Sequence, residues 1–267
     1  VQAGACGGAF GGRIFGAIKL ITMRAHIHFD SQGWPQSVNN YLALDGFQQM
    51  GWEIVPYTDA APVRDHAPDE IIVGHIAAVR AGLRALGLAV PAELGYPAAL
   101  HPYLGRRLWP STINAVAAHP ESWPVFVKPM HDAKKFTGVL VRRVGDLVGC
   151  GDQHQDTPVW CAEPVQFRTE WRCFVRYGRI LDARPYKGDW RAHFDPAVVE
   201  AALAAYLPEA PAAFALDVGV TTAGATLVVE VNDGYALGAY GLMPLAYAKF
   251  LSARWAQLTG TEDYANF

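Results

Sequence analysis

Phe214-Ala-Leu-Asp217-Val-Gly-Val220 and Leu227-Val-Val-Glu230-Val-Asn232 are two strongly apolar runs, each interrupted by a carboxylate. They read as strands joined by a short turn. With Ala223-Gly224 as a two-residue loop, Thr222 faces Ala225, and counting back sets Asp217 opposite Glu230. Directly opposed like charges on paired strands repel. Two carboxylates near a core therefore need a compensating cation or a shared proton. Asn232, two residues beyond Glu230, projects from the same face of its strand. Two carboxylates and an amide oxygen make a hard, all-oxygen set, suited to Mg²⁺ held partly by protein and partly by substrate phosphates. A solvated hairpin face fits the same spacing. A loop one residue longer would shift the register and separate the facing pair.

Upstream, Pro124-Val-Phe-Val-Lys128-Pro129 reads as a strand. A lysine inside such an apolar run needs an anion near its ammonium, unless it sits at the strand end and snorkels to water. The polar stretch His131-Asp-Ala-Lys134-Lys135-Phe-Thr-Gly138 links this strand to the next, over 138–142. It has the make-up of a flexible lid, in which Lys134 or Lys135 is a candidate phosphate contact and a solvated loop lysine the plainer one. Val159–Ala162 is a third strand. Glu170–Arg176 and Arg179–Tyr186 form a hairpin across Tyr177-Gly178. Glu170 and Arg172 share a face of that hairpin. Arg172 can pair with Glu170 or grip a phosphate in bidentate fashion. Arg184 follows on the second strand, and Lys187 and Arg191 lie in a loop able to reach the same cleft. The last hairpin precedes a closing helix over 246–258, so this half is α+β.

The first half has another texture. Strands over 24–29 and 52–57, a short apolar run over 71–73, and helices over 37–51 and 77–86 make a small α/β lobe. Residues 91–110 read as a linker with short helical turns, and a helix follows over 111–119 with Ser111 as its N-cap. Val1 is not a methionine, and residues 1–22 are rich in Gly and Ala. They read as a non-native or disordered leader, with Met23 as the natural start; a secretory signal is the alternative, with a short apolar part interrupted by Arg13 and Lys19. The domains expected are thus 1–22, 23–95 and 96–267.

A net charge of −3 offers no basic footprint for nucleic acid, and 51% hydrophobic content suffices for a substantial core. No apolar run approaches bilayer length. The four cysteines show no C-x-x-C spacing, so they read as reduced thiols of a cytoplasmic protein. The sequence lacks G-x-x-x-x-G-K-[ST], G-x-S-x-G and G-x-G-x-x-G. His26 and His28 alternate on the first strand with no third ligand in view, and read as ordinary strand histidines.

In order, Val-Phe-Val-Lys128-Pro, Lys134-Lys-Phe-Thr-Gly138, Cys-Ala-Glu163-Pro-Val165, Glu170-Trp-Arg172, Leu-Asp217-Val-Gly and Val-Glu230-Val-Asn232-Asp-Gly resemble an ATP-grasp domain. More narrowly they resemble its R-two-K clade, named for two arginines and a lysine. Gly234-Tyr-Ala-Leu-Gly-Ala-Tyr-Gly-Leu242 and Ala-Arg-Trp255 add to the match, which spans roughly residues 96–258. The resemblance implies an ATP-grasp fold: the α/β lobe, then two α+β subdomains gripping ATP between antiparallel sheets.

By the same resemblance, Lys128 and Lys134 would hold ATP phosphates. The segment around Glu163 and Val165 would be the hinge that meets adenine and ribose, with Glu170 beside the nucleotide. Asp217, Glu230 and Asn232 would carry one or two Mg²⁺, with Mn²⁺ as a substitute. Arg172, Arg184 and Lys187 would form the basic set facing the phosphoryl group or the acceptor. The implied activity is an ATP-dependent carboxylate–amine ligase working through an acylphosphate, on a small molecule or peptide. A phosphotransferase and a nucleotide-binding regulatory module without turnover are the alternatives.

Overall fold

A computed structural model describes residues 22–131, 135–151 and 155–267 of the chain. The expected leader, up to residue 21, and the lid residue Lys134 lie outside the described residues.

The N-terminal lobe holds three parallel strands, β1 (Arg24–His28), β2 (Glu53–Tyr57) and β3 (Ile71–Val73), in the order β2-β1-β3. Helices α1 (Val38–Gln49) and α2 (Ile76–Ala85) accompany them. Ser37 starts α1 by accepting the Asn40 N–H, which satisfies an amide that the helix itself cannot. The central strand is buried from Ala25 to His28, as expected where helices cover a parallel sheet. This lobe shares its core with the end of the chain. Helix α5 (Pro244–Thr259) packs on α1 at Gly46, where an added Cβ would meet the Pro244 oxygen at 2.1 Å. Phe47, Leu83, Phe250 and Trp255 lie in one apolar cluster with Phe174.

A second sheet runs in the order β4-β7-β5-β6, built from β4 (Leu108–Thr112), β5 (Val125–Pro129), β6 (Val139–Val141) and β7 (Pro158–Ala162). Strand β4 corrects the reading of 91–110 as a linker. A 3-10 helix does span Ala98–Tyr103, but Leu108–Thr112 pairs with β7. Pro110 conceals this strand, and it is tolerated because β4 is an edge, where a missing N–H need not break the ladder. Helix α3 (Ile113–Ala118) consequently starts later than expected, with Thr112 rather than Ser111 as its N-cap.

The third sheet has the order β11-β10-β8-β9, with β8 (Phe167–Arg176), β9 (Arg179–Gly188), β10 (Ala213–Thr221) and β11 (Thr226–Asp233) all antiparallel. Helix α4 (Pro196–Tyr206) covers one face through Val199, Leu203 and Tyr206, which meet Phe214 and Leu216. Tyr177 and Gly178 turn β8 into β9 with φ of 47° and 73°, the paired positive values that match the twist of a tight hairpin.

The β10–β11 hairpin departs from the count in two compensating ways. Thr221 N–H donates to Ala225 O, and Gly224 N–H donates to Thr221 O. The loop is therefore Thr222–Gly224, one residue longer than expected. Alone, this shift would separate Asp217 from Glu230. A bulge on β11 absorbs it: Val218 faces Val228 while Asp217 faces Glu230, leaving Val229 as the extra residue. A β-bulge of this kind re-aims the side chains beyond it. Arg106 secures the bulge, donating from Nη1 to Val228 O at 2.9 Å and from Nη2 to Val229 O at 2.8 Å. Among the described residues, no helix is long and apolar enough to cross a membrane.

Candidate active site

The second and third sheets enclose a cavity of about 590 Å³ lined by Lys128, Glu163, Val165, Glu170, Arg172, Lys187, Asp217 and Glu230. Each of these was singled out in the sequence. Asn232 reaches them from β11, and Arg184 does not line the cavity.

At the floor, Asp217 projects from β10 and is 1% exposed. Arg172, its directly opposed neighbour on β8, grips it through Nε at 2.8 Å and Nη2 at 2.6 Å. Asn232 Nδ2 donates to Asp217 at 3.0 Å and to Glu230 at 3.2 Å, drawing the three head groups together. Burial pushes the Asp217 carboxyl up to about 6, against the pull of Arg172. Its three donors still favour the ionised form at neutral pH. Tyr186 and Tyr240 flank the guanidinium of Arg172, with ring centroids 5.6 and 4.7 Å away, a contact that stabilises a desolvated cation.

Lys128 comes from β5 on the opposite sheet. Its Nζ meets Glu230 Oε2 at 2.5 Å and lies 4.6 Å from the centre of the Tyr96 ring. Burial disfavours both charges, and their mutual attraction prevails: Lys128 is raised above its ordinary value and Glu230 lowered below it. The buried lysine has thus found its anion. At the rim, Glu170 accepts from Lys187 at 2.5 Å and from the Tyr186 hydroxyl at 2.8 Å. Burial first, then the Asp217 and Glu170 charges, raise Tyr186 far above an ordinary phenol, so it acts as a donor.

Glu163 occupies the segment joining β7 to β8. Its Oε2 accepts the Arg107 N–H at 2.9 Å, and Pro164 and Val165 follow it along the cavity wall. Arg184 sits opposite Arg172 on β9 but is tied to Asp182 at 2.5 Å. Arg254 of the Ala-Arg-Trp255 motif makes two 2.6 Å bonds to Asp233 rather than entering the cleft.

Each of the two carboxylates holds a cation of the protein, Asp217 that of Arg172 and Glu230 that of Lys128. The donor set nevertheless fits a hard divalent ion. Asp217 keeps a free lone-pair position, since an ionised carboxylate offers about four and three are taken. Sequence reasoning missed Tyr96, Arg106, Tyr186 and Tyr240, all at the cavity. Only Tyr186 and Tyr240, within motifs already quoted or adjoining them, carried a usable signal. A second depression, of about 580 Å³, lies at Tyr177, Leu207 and Asp263. Its carboxylate is already held by Arg176, Tyr177 and Ser252.

Comparison with known proteins bears on the fold. D-cycloserine synthetase DcsG is similar to the chain with a TM-score of 0.55 and 16% identity, over 87% of this chain and 99% of its own. D-alanine–D-alanine ligase from Bacillus anthracis gives 0.53 and 15%, over 90% and 99%. A RimK domain ATP-grasp protein from Sphaerobacter thermophilus DSM 20745 gives 0.52 and 18%, over 85% and 99%. At such identities the shared property is the fold. No curated protein sequence matches. The family model described as ATP-grasp domain, R-two-K clade family 2, matches residues 103–250, more than half of the chain. The chain has the ATP-grasp fold and belongs to the R-two-K clade of ATP-grasp domains, family 2.

Proposed function

We propose that the cleft binds ATP with Mg²⁺ and joins a carboxylate to an amine. The observation that carries this reading is the meeting of Lys128, Arg172 and Lys187 with Asp217, Glu230 and Asn232 in one cavity between two antiparallel sheets. Lys128 would leave Glu230 for the phosphates, and Glu230, Asp217 and Asn232 would hold the metal. The lid lysine Lys134 would add a second phosphate contact. A bound Mg²⁺ would neutralise phosphoryl oxygens and orient them for in-line transfer. The hinge backbone at Glu163 and Val165 would receive the adenine, and Glu170 would border the ribose or phosphates. Lys187 and Arg172 would face the phosphoryl group and acceptor. Arg184 would act only after release from Asp182.

In this reaction an acceptor carboxylate oxygen attacks the γ-phosphorus, the bond to the β-γ bridging oxygen breaks, and ADP leaves. The amine nitrogen then attacks the acyl carbon, phosphate departs with one former carboxylate oxygen, and the amine loses a proton. No covalent protein nucleophile is needed, so positioning and charge compensation supply the rate. Similar ligases share the fold, which supports the reading.

A screen of pooled amino acids and short peptides with Mg-ATP tests it, followed by the responding acid labelled with ¹⁸O in its carboxylate. Expected is ADP release that needs both acid and amine, with ¹⁸O recovered in phosphate. A stable phosphorylated acceptor would mark a phosphotransferase. Nucleotide binding with no ADP under any acid–amine pair would mark a module without turnover.

A further inference from the structure

The loops leaving the three parallel strands of the N-terminal lobe converge at their carboxyl ends. His28 closes β1, Asp59 stands in the loop after β2, and His75 follows β3. Gly74 brings the third loop close: a Cβ there would lie 3.2 Å from that of His28. The crevice outside the carboxyl ends of an open parallel sheet is the usual place for a ligand.

His28 is 1% exposed and stacked on Tyr57 at 4.9 Å; its Nδ1 has no hydrogen-bond partner, and its Nε2 faces the Asp59 carboxylate without an aligned hydrogen bond. A buried polar group without a partner costs free energy and calls for an explanation. Its Nε2 lies 3.2 Å from Asp59 Oδ1, and His75 Nε2 lies 3.3 Å from the same oxygen. The three donor atoms fall within 4.8 Å of one another. Among the described residues no other group of three His, Cys, Asp or Glu converges so closely. Ligands of a tetrahedral ion with bonds of about 2.0–2.1 Å stand roughly 3.3–3.4 Å apart, so both nitrogen–oxygen separations already match such a site.

We propose that His28, Asp59 and His75 bind a divalent transition-metal ion of the zinc class, apart from the oxygen donors of the cleft. Two imidazoles with one carboxylate suit such an ion better than Mg²⁺ or Ca²⁺. Three protein ligands leave a fourth position for water or a donor from a ligand. Asp59 is 74% and His75 44% exposed, which gives the ion a way in from solvent. The Thr58–Ala61 turn, closed by backbone bonds in both directions, holds Asp59 at its tip. His75 also caps α2, its Nδ1 accepting the Ala78 N–H at 3.2 Å. Coordination through Nε2 moves the ring proton to Nδ1 and ends that cap. Ala78 N–H keeps a partner, because it also reaches His75 O at 3.0 Å.

The test is titration of the untagged, chelator-treated chain with Co²⁺, followed by visible absorption and displaced by Zn²⁺. Expected is one site with the strong d–d bands of a four-coordinate ion. Asp59→Asn and His75→Asn, the second retaining an N-cap side chain, should each weaken it by more than about tenfold, the loss that even outer-shell changes bring. Glu230→Gln should leave the bands unchanged. Absence of a one-site spectrum, bands that persist in both N-terminal variants, or bands lost in Glu230→Gln would each overturn the proposal.

Discussion

Replacing Arg172 with methionine should unfold the protein more easily, and by an amount that depends on pH. The substitution keeps the apolar stem and removes the guanidinium that makes two of the three bonds to Asp217. With 9% and 1% of their side chains exposed, the pair is buried, and removing one member of such a pair costs about 3–5 kcal/mol. Asp217 can escape by taking a proton. Its folded-state value lies above its unfolded one even with Arg172 present, and loss of the arginine moves it higher. A carboxyl raised in this way favours the fold while protonated. That contribution is complete below the unfolded value and is lost as pH rises through the folded one. The deficit of the variant should therefore grow by about 1.4 kcal/mol per pH unit between the folded value near 6 that holds with Arg172 present and the higher one of the variant. Urea unfolding should show a loss of about 3–5 kcal/mol at pH 8 and about 1–2 kcal/mol at pH 6. Arg172→Met with Asp217→Asn should recover most of the loss at pH 8, since no buried charge remains. A deficit below about 1 kcal/mol, or one equal at the two pH values, would refute the reasoning.

Lys128→Met should weaken ATP binding roughly 10- to 150-fold, the worth of about 1.5–3 kcal/mol in charge-assisted bonds, as read by calorimetry; unchanged affinity would remove the lysine from the phosphate site. Mg²⁺-dependent ATP binding should fail as pH drops through about 6, where Asp217 takes up a proton; constant affinity from pH 7.5 to 5 would show that Asp217 is not a ligand. Arg106→Met should free the carbonyls at the Val229 bulge and weaken the same binding by about 1–3 kcal/mol, with the far-ultraviolet dichroism preserved; normal binding would show that the bulge holds its register without Arg106.

Much of the architecture was legible because strand periodicity and turn chemistry are local. The Tyr177-Gly178 turn joins its two strands as expected, and the first helix lies within the stretch read for it. Asp217 and Glu230 do face each other, yet for a reason that sequence counting could not supply. The loop is longer by one residue and the bulge at Val229 restores the register, held from outside by Arg106, more than a hundred residues upstream. Arg172 shows the same limit. Its neighbours in sequence suggest Glu170 as partner, but β8 pairs with β10, and the crossover brings Asp217 into its fork. Glu170 is left to Lys187 and Tyr186. β4 stayed hidden because a proline in a strand signals a loop until the strand is known to be an edge. His28 looked ordinary because Asp59 and His75 meet it only through parallel pairing.

The oxygen donors of the β10–β11 hairpin are tested most directly by the electron paramagnetic resonance of Mn²⁺ added with ATP. Wild-type protein should convert the signal of free Mn²⁺ into one bound species only when nucleotide is present, and Glu230→Gln and Asn232→Ala should each leave the ion free under the same conditions. A bound, nucleotide-dependent signal that survives both substitutions would contradict the assignment of the metal to this hairpin.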